Sequence, residues 1–139
     1  MDFTQVSQFL ESSKTCVIAT VDDQGKPMAA TVGFSHDENF EIIVATSEQT
    51  QKYKNILANP RVALVVGFEL PYTVQYEGLA KVVTAEELGY RLTRHFEKVP
   101  AAKKFAGTAD QKYILITPEW MRFSDMTKGP EVHETRTFK

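Results

Sequence analysis

The chain has 139 residues, of which 42% are hydrophobic and 24% charged, the size and balance of one globular domain with a single core. A net charge of −2 lacks the basic surplus of a nucleic-acid-binding domain, and a lone cysteine, Cys16, excludes an internal disulfide. The start, Met1-Asp2-Phe3-Thr4, has no signal-peptide character, and the longest apolar run, Val62 to Phe68, is too short to cross a bilayer, so a single cytoplasmic domain over residues 1–139 is expected.

In chain order, Phe3, Val6, Phe9 and Leu10 recur at helical spacing and predict a short N-terminal helix. Thr15 to Val21 is dense in β-branched residues and reads as a strand. Asp22-Asp23-Gln24-Gly25 is a turn signal, followed by a second strand from Pro27 to Phe34. A polar turn from Ser35 to Asn39 leads into a third strand, Phe40 to Thr46, and the short connections predict an antiparallel meander. Ser47 is a candidate cap for a helix striped by Tyr53, Ile56 and Leu57, which Asn59-Pro60 stops. Arg61 to Phe68 is an apolar strand expected to be buried on both faces. Tyr72 to Val83 is a long strand with Gly78 as a bulge or bend.

Thr84-Ala85-Glu86-Glu87 has capping-box spacing and opens a helix to about Phe96, with Leu88, Leu92 and Phe96 on one face. A mobile stretch holding Pro100 and Gly107 is expected next. Two strands follow, Tyr113 to Thr117 and Trp120 to Ser124, divided by Pro118-Glu119. The tail from Met126 has few apolar residues and is expected to be ordered only by a partner subunit. This order suits an α+β protein built on a small closed barrel.

The chemistry concentrates in Ala45-Thr46-Ser47-Glu48-Gln49-Thr50-Gln51-Lys52. A strand ends, hydroxyls cluster, and a helix begins with a lysine in its second turn. Free N–H groups and the positive dipole end of a helix favour an anion such as phosphate. An ordinary capped helix with a solvated lysine is the alternative from this segment alone. Elsewhere, His36, His95 and His133 lie in turn, helix and tail without metal-ligand spacing and read as surface histidines. Cys16 reads as a small core residue, and Lys103-Lys104 as a solvated pair. No metal site is expected.

Phe40-Glu41-Ile42-Ile43-Val44-Ala45-Thr46, then Thr50-Gln51-Lys52, then Asn59-Pro60-Arg61-Val62 resembles the core of the flavin-binding split-barrel family that includes pyridoxamine 5′-phosphate oxidase. The likeness runs from about Thr15 to Val83 and returns at Ile114 to Asp125. It implies an α+β fold, an antiparallel six- or seven-stranded split β-barrel with short flanking helices. It also implies a homodimer with FMN at the subunit interface. By the same resemblance, Thr50, Gln51 and Lys52 would bind the FMN phosphate, and Ala45, Thr46 and Ser47 would line the ribityl side. Ala30, Thr31 and Val32 would run beneath the flavin ring, while Thr73 and Trp120 would reach it from the second subunit.

Two departures qualify the likeness. The strand from Ala29 to Ser35 has no basic residue, and the C-terminal arginine motifs that grip a substrate phosphate are replaced by Glu131-Val132-His133-Glu134-Thr135-Arg136. A phosphate dianion needs paired cationic donors, so synthesis of pyridoxal phosphate is not expected. The implied function is an FMN-dependent oxidoreductase, taking electrons from a reduced nicotinamide or small organic donor. A flavin-binding or sensing protein without turnover, or a relative using F420 or haem, is the alternative.

Overall fold

A computed structural model describes residues 3–69, 71–129 and 133–138. Helix α1 (Phe3–Ser12) buries Val6 and Leu10, as its spacing predicts. Strands β1 (Thr15–Val21) and β2 (Pro27–Gly33) form a hairpin, with Thr15 opposite Gly33 and Val21 opposite Pro27. Asp22 Oδ1 accepts from the amides of Gln24 and Lys26, and Gly25 takes a φ of 82° to close the turn.

The expected meander ends at this hairpin. A two-residue strand, β3 (Ser35–His36), follows Phe34 and pairs with β4 (Ile42–Ser47), and β4 pairs on its other side with β7 (Gln111–Asp125) rather than with β2. Phe40 is not in the strand. Asp37 Oδ1 accepts from the amides of Asn39 and Glu41, and Phe40 is held at a φ of 60°.

Helix α2 (Gln51–Ala58) is capped by Thr50, whose side chain accepts from the Tyr53 amide, and ends at Asn59. Ser47, the expected cap, instead accepts from the Gln49 amide at 3.1 Å within the preceding turn. Strand β5 (Arg61–Val66) buries Val62, Leu64 and Val66 and leaves Ala63 and Val65 half exposed. Within one chain, one face is therefore in the core and the other is half exposed, so burial of both faces would need a second subunit. β6 (Tyr72–Val83) pairs with β5 and β7, with a register shift at Glu77/Gly78 as its glycine suggests.

The capping box is present: Glu87 N–H donates to Thr84 Oγ1, and the Thr84 amide donates to Glu87 Oε1, both at 3.1 Å. The helix it opens is interrupted at Gly89, giving α3 (Ala85–Leu88) and α4 (Tyr90–Lys98). The segment expected to be mobile holds a further helix, α5 (Pro100–Lys104), with proline in its first turn. The two expected C-terminal strands are one, β7. Pro118 lies opposite Gly78 at the bulge, where the ladder needs no N–H from it. After a 3-10 turn, Met126–Lys128, strand β8 (His133–Thr137) pairs with β7 of the same chain. That corrects the expectation that the tail needs a partner to order it.

Along the sheet the strands run β2-β1-β5-β6-β7-β4-β3, with β8 added to β7. Only Phe34 separates β2 from β3, so the two ends of the path are joined by the chain while no ladder links β2 to β4. The result is the expected α+β antiparallel split barrel with short flanking helices. Its interior holds Cys16, Ile18, Phe34, Val44, Leu64, Val74, Tyr76, Ile114 and Ile116. Tyr76 Oη, buried in this core, donates to the Phe40 carbonyl at 2.8 Å.

Candidate functional site

The β4–α2 turn carries the chemistry. Thr50 Oγ1 donates to Ser47 O at 2.9 Å. A hydroxyl has one proton, so Thr50 Oγ1 accepts from Tyr53 N at 3.3 Å and from Thr46 Oγ1 at 3.1 Å. Thr46 and Thr50 are thus occupied in shaping the turn. The groups left to meet a ligand are the Ser47 hydroxyl proton, the first-turn amides of Gln51 and Lys52, which have no acceptor within the helix, and Lys52 Nζ. The Gln51 side chain donates to Asn55 Oδ1 at 2.8 Å, and buried Asn55 donates to Thr20 Oγ1 at 3.0 Å, tying α2 to β1.

Lys52 is half buried, and that burial lowers its pKa from the usual 10.5. Among the described residues no carboxylate pairs with it; the nearby Glu48 pairs with Lys112 at 3.6 Å instead. A partly desolvated cation beside orphan amides, with no counter-ion, suits an anion.

Next to this turn, at the split, a cavity of about 570 Å³ is lined by Ala45, Thr46 and Ser47 of β4, by Gly33 of β2 and by α5. The structure therefore brings Ala45, Thr46 and Ser47 together with Gly33 at the end of β2 around this cavity, while Thr50, Gln51 and Lys52 follow on the turn and do not line it. On β2, Val32 faces the core and Thr31 faces out. Thr73 and Trp120 do not line this cavity. They lie on β6 and β7, with Trp120 opposite Glu77 and under the Arg122 guanidinium at 5.2 Å. Sequence reasoning missed the α5 wall, Val99, Ala101, Ala102 and Phe105, and also Asp110 and Gln111. Its one usable signal was Pro100 followed by helix-favouring Ala101-Ala102-Lys103-Lys104.

The histidines need a correction. His36 and His95 are buried, not at the surface; His133 alone of the three is exposed. His95 Nδ1 is 2.7 Å from Ser35 Oγ, and its Nε2 has no partner. Burial, then nearby Lys98, holds the His95 pKa down to about 4. Lys98 itself is pushed down to about 8 by burial; its Nζ donates to the Leu10 carbonyl at 2.9 Å and lies 3.8 Å from the Phe34 ring centre. Cys16 is a buried thiol whose pKa burial raises to about 12, consistent with its reading as a core residue. Among the described residues no group of three or more His, Cys, Asp or Glu is placed to hold a metal, and no helix is long and apolar enough to cross a membrane.

Residues 3–125 match the pyridoxamine 5′-phosphate oxidase family. The chain belongs to that family. Pyridoxine/pyridoxamine 5′-phosphate oxidase of Rippkaea orientalis is 37% identical over 90 residues, which is 63% of this chain and 42% of that protein. The chain thus matches less than half the length of this oxidase, as a family member distinct from the oxidase itself. Among solved structures, a haem-binding protein from Mycobacterium smegmatis superposes with a TM-score of 0.82 at 18% identity, over 99% of this chain and 58% of that one. HutZ, a haem storage protein from Vibrio cholerae, gives 0.73 at 20% identity, over 84% and 89%. At such identities these likenesses are of fold.

Proposed function

We propose that this chain is an FMN-binding flavoprotein of the oxidase family that works as an electron-transfer enzyme. The observation that carries the reading is Lys52: a half-buried cation in the first turn of α2, beside orphan amides and without a carboxylate partner among the described residues. The FMN phosphate would be held by Lys52 Nζ, the amides of Gln51 and Lys52 and the Ser47 hydroxyl, with Thr46 and Thr50 fixing the turn. FMN supplies two-electron chemistry at its ring, and the protein supplies orientation and a partly dry face. Few acids or bases are required of the chain for this.

A second copy completes the proposed site. On the outer face of the sheet, Val17 lies opposite Val65 and Ala19 opposite Ala63, all half exposed, with Ala29 alongside Ala19. The same face carries Gln75 and Glu77 of β6, opposite Val65 and Ala63, and Trp120 and Arg122 of β7. By strand alternation Thr73 belongs to it too. This apolar centre with a polar rim has the anatomy of a homodimer interface, and it would bring Thr73 and Trp120 to a partner's flavin.

The haem-binding relatives suggest another occupant. The cavity lining offers no His, Cys, Tyr or Met to ligate iron from this side, which favours flavin. The visible spectrum of the purified protein, titrated with FMN and separately with haem, tests the choice. Flavin bands with micromolar FMN binding are expected; haem binding without FMN binding would reverse it. Anaerobic mixing with NADH or NADPH should then bleach the flavin, and a persistent oxidised spectrum would favour a flavin-holding protein without turnover.

A further inference from the structure

We propose that the cleft between α1, the β3 turn and α4 is a separate reaction site that hydrolyses small neutral or cationic esters. Ser7 is its nucleophile, His36 its general base, and Glu11 the residue that positions the base. The site shares no residue with the proposed flavin site and does not depend on it.

Helices α1 and α4 both pack against β3, and α1 presents Ser7 and Glu11, four residues apart, on one face. Ser7 Oγ is 2.8 Å from His36 Nε2. The other ring nitrogen, Nδ1, is buried without a hydrogen-bond partner and lies 3.9 Å from Glu11 Oε2. A hydroxyl on one nitrogen and a carboxylate on the other let an imidazole take the hydroxyl proton while the acid holds the opposite N–H. A helix-to-strand tie would account for the Ser7 contact alone and leaves the bare Nδ1 beside Glu11 unexplained. Glu11 is exposed, so its side chain can swing in as the imidazolium forms, the step at which such contacts tighten.

The three side chains line one cavity of about 320 Å³, and Arg94 of α4 lines it with them. Among the described residues no carboxylate pairs with Arg94, which leaves its guanidinium for the oxyanion of an ester under attack. The charged groups acting on His36 are Lys98, Glu11, Arg94 and Asp37; burial and then Lys98 lower its pKa from the usual 6.5. The ring is therefore neutral and able to accept a proton at neutral pH. Asp37 and Glu38 add two further carboxylates to the lining, which repel an anionic substrate. The volume is at the small end of ligand sites and suits a short acyl chain.

Ser7 Oγ adds to the ester carbonyl as its proton passes to His36 Nε2. The bond to the alcohol oxygen then breaks, the alcohol leaves with that proton, and the acyl group stays on Ser7. Water attacks the acyl carbon while His36 takes its proton; the carboxylic acid leaves and the proton returns to Ser7 Oγ. Water is the co-reactant, and nothing is oxidised or reduced.

The test starts with the unaltered chain and diisopropyl fluorophosphate, read by intact mass and peptide mapping. A single adduct, on Ser7, is expected. Ser7→Ala should lose both that adduct and turnover of 4-nitrophenyl acetate, and His36→Gln should cut kcat by about a hundredfold or more, with circular dichroism confirming that each variant is folded. The unaltered chain should lose kcat/KM as pH falls through the His36 pKa, and Glu11→Gln should move that fall to lower pH, because Glu11 raises this pKa. The 4-nitrophenyl monoester of succinate, which adds a carboxylate, should react more slowly than the acetate; equal or faster turnover would overturn the substrate class. Absence of a Ser7 adduct at millimolar reagent, or unchanged turnover in folded Ser7→Ala, would overturn the site itself.

Discussion

At the scale of single residues, Lys52 and His95 carry opposite consequences of burial. Lys52 keeps a charge that has lost some of its water and, among the described residues, has no carboxylate paired with it. Lys52→Ala is expected to weaken FMN binding by about 1.5–3 kcal/mol, the scale of a charged hydrogen bond, read by fluorescence titration. An unchanged affinity would place the phosphate elsewhere. His95 is kept neutral instead. Its folded pKa, about 4, lies below the ordinary 6.5, so protons favour the unfolded chain. Stability should therefore fall as pH drops through 6.5 and level off near 4, by about 2–3 kcal/mol from this group. NMR of the imidazole nitrogens should find His95 still neutral at about pH 5.5; ordinary titration near 6.5 would refute its burial. The charge of Lys52 near a helix start was legible in the sequence because both are local, although the start itself lies at Thr50 and not at Ser47. The burial of His36 and His95 was not, because it depends on α1 and α4 closing over β3, and no local pattern records that.

At the scale of elements, the sheet depends on the crossing of Gly78 with Pro118. A Cβ on Gly78 would lie 2.4 Å from the Thr117 carbonyl and 3.0 Å from Ile116 Cγ2. Both neighbours belong to the packed ladder of β7, so neither can give way easily. Gly78→Ala should destabilise the fold by more than about 2 kcal/mol in urea unfolding; a loss within a few tenths would mean that the bulge adapts. The same crossing explains why one long β7 was read as two strands. A proline inside a strand normally breaks it, but here it falls where the partner strand bulges. The capping box and the Asn59-Pro60 stop were legible because each is settled within four residues. The cap of α2 was misassigned to Ser47 because Ser47 and Thr50 both have suitable hydroxyls, and only the hydrogen-bond geometry chooses Thr50.

For the molecule as a whole, the half-exposed Val17, Ala19, Ala63 and Val65 on one outer face predict association. Sedimentation equilibrium should give twice the 15.7 kDa chain mass. Val65→Arg, at the centre of that face, should shift the protein to monomer and weaken FMN binding. A wild-type monomer would remove the roles proposed for Thr73 and Trp120. An apolar run such as Val62 to Val66 has the same pattern whether its second face meets a helix, another subunit or partial solvent.

The sequence by itself determined β1, β2, β5 and β6, helix α1, the capping box of α3 and the family pattern. Each is written in residues close along the chain, through alternation, helical spacing and capping. Only the tertiary structure decided that β2 passes through Phe34 into β3, that β4 pairs with β7, and that β8 folds back on its own chain. It also decided that α5 walls the cavity. These depend on contacts between distant segments, where shape and burial select one arrangement among several that the local pattern allows. The cavity between β2, β4 and α5 is such a product of assembly.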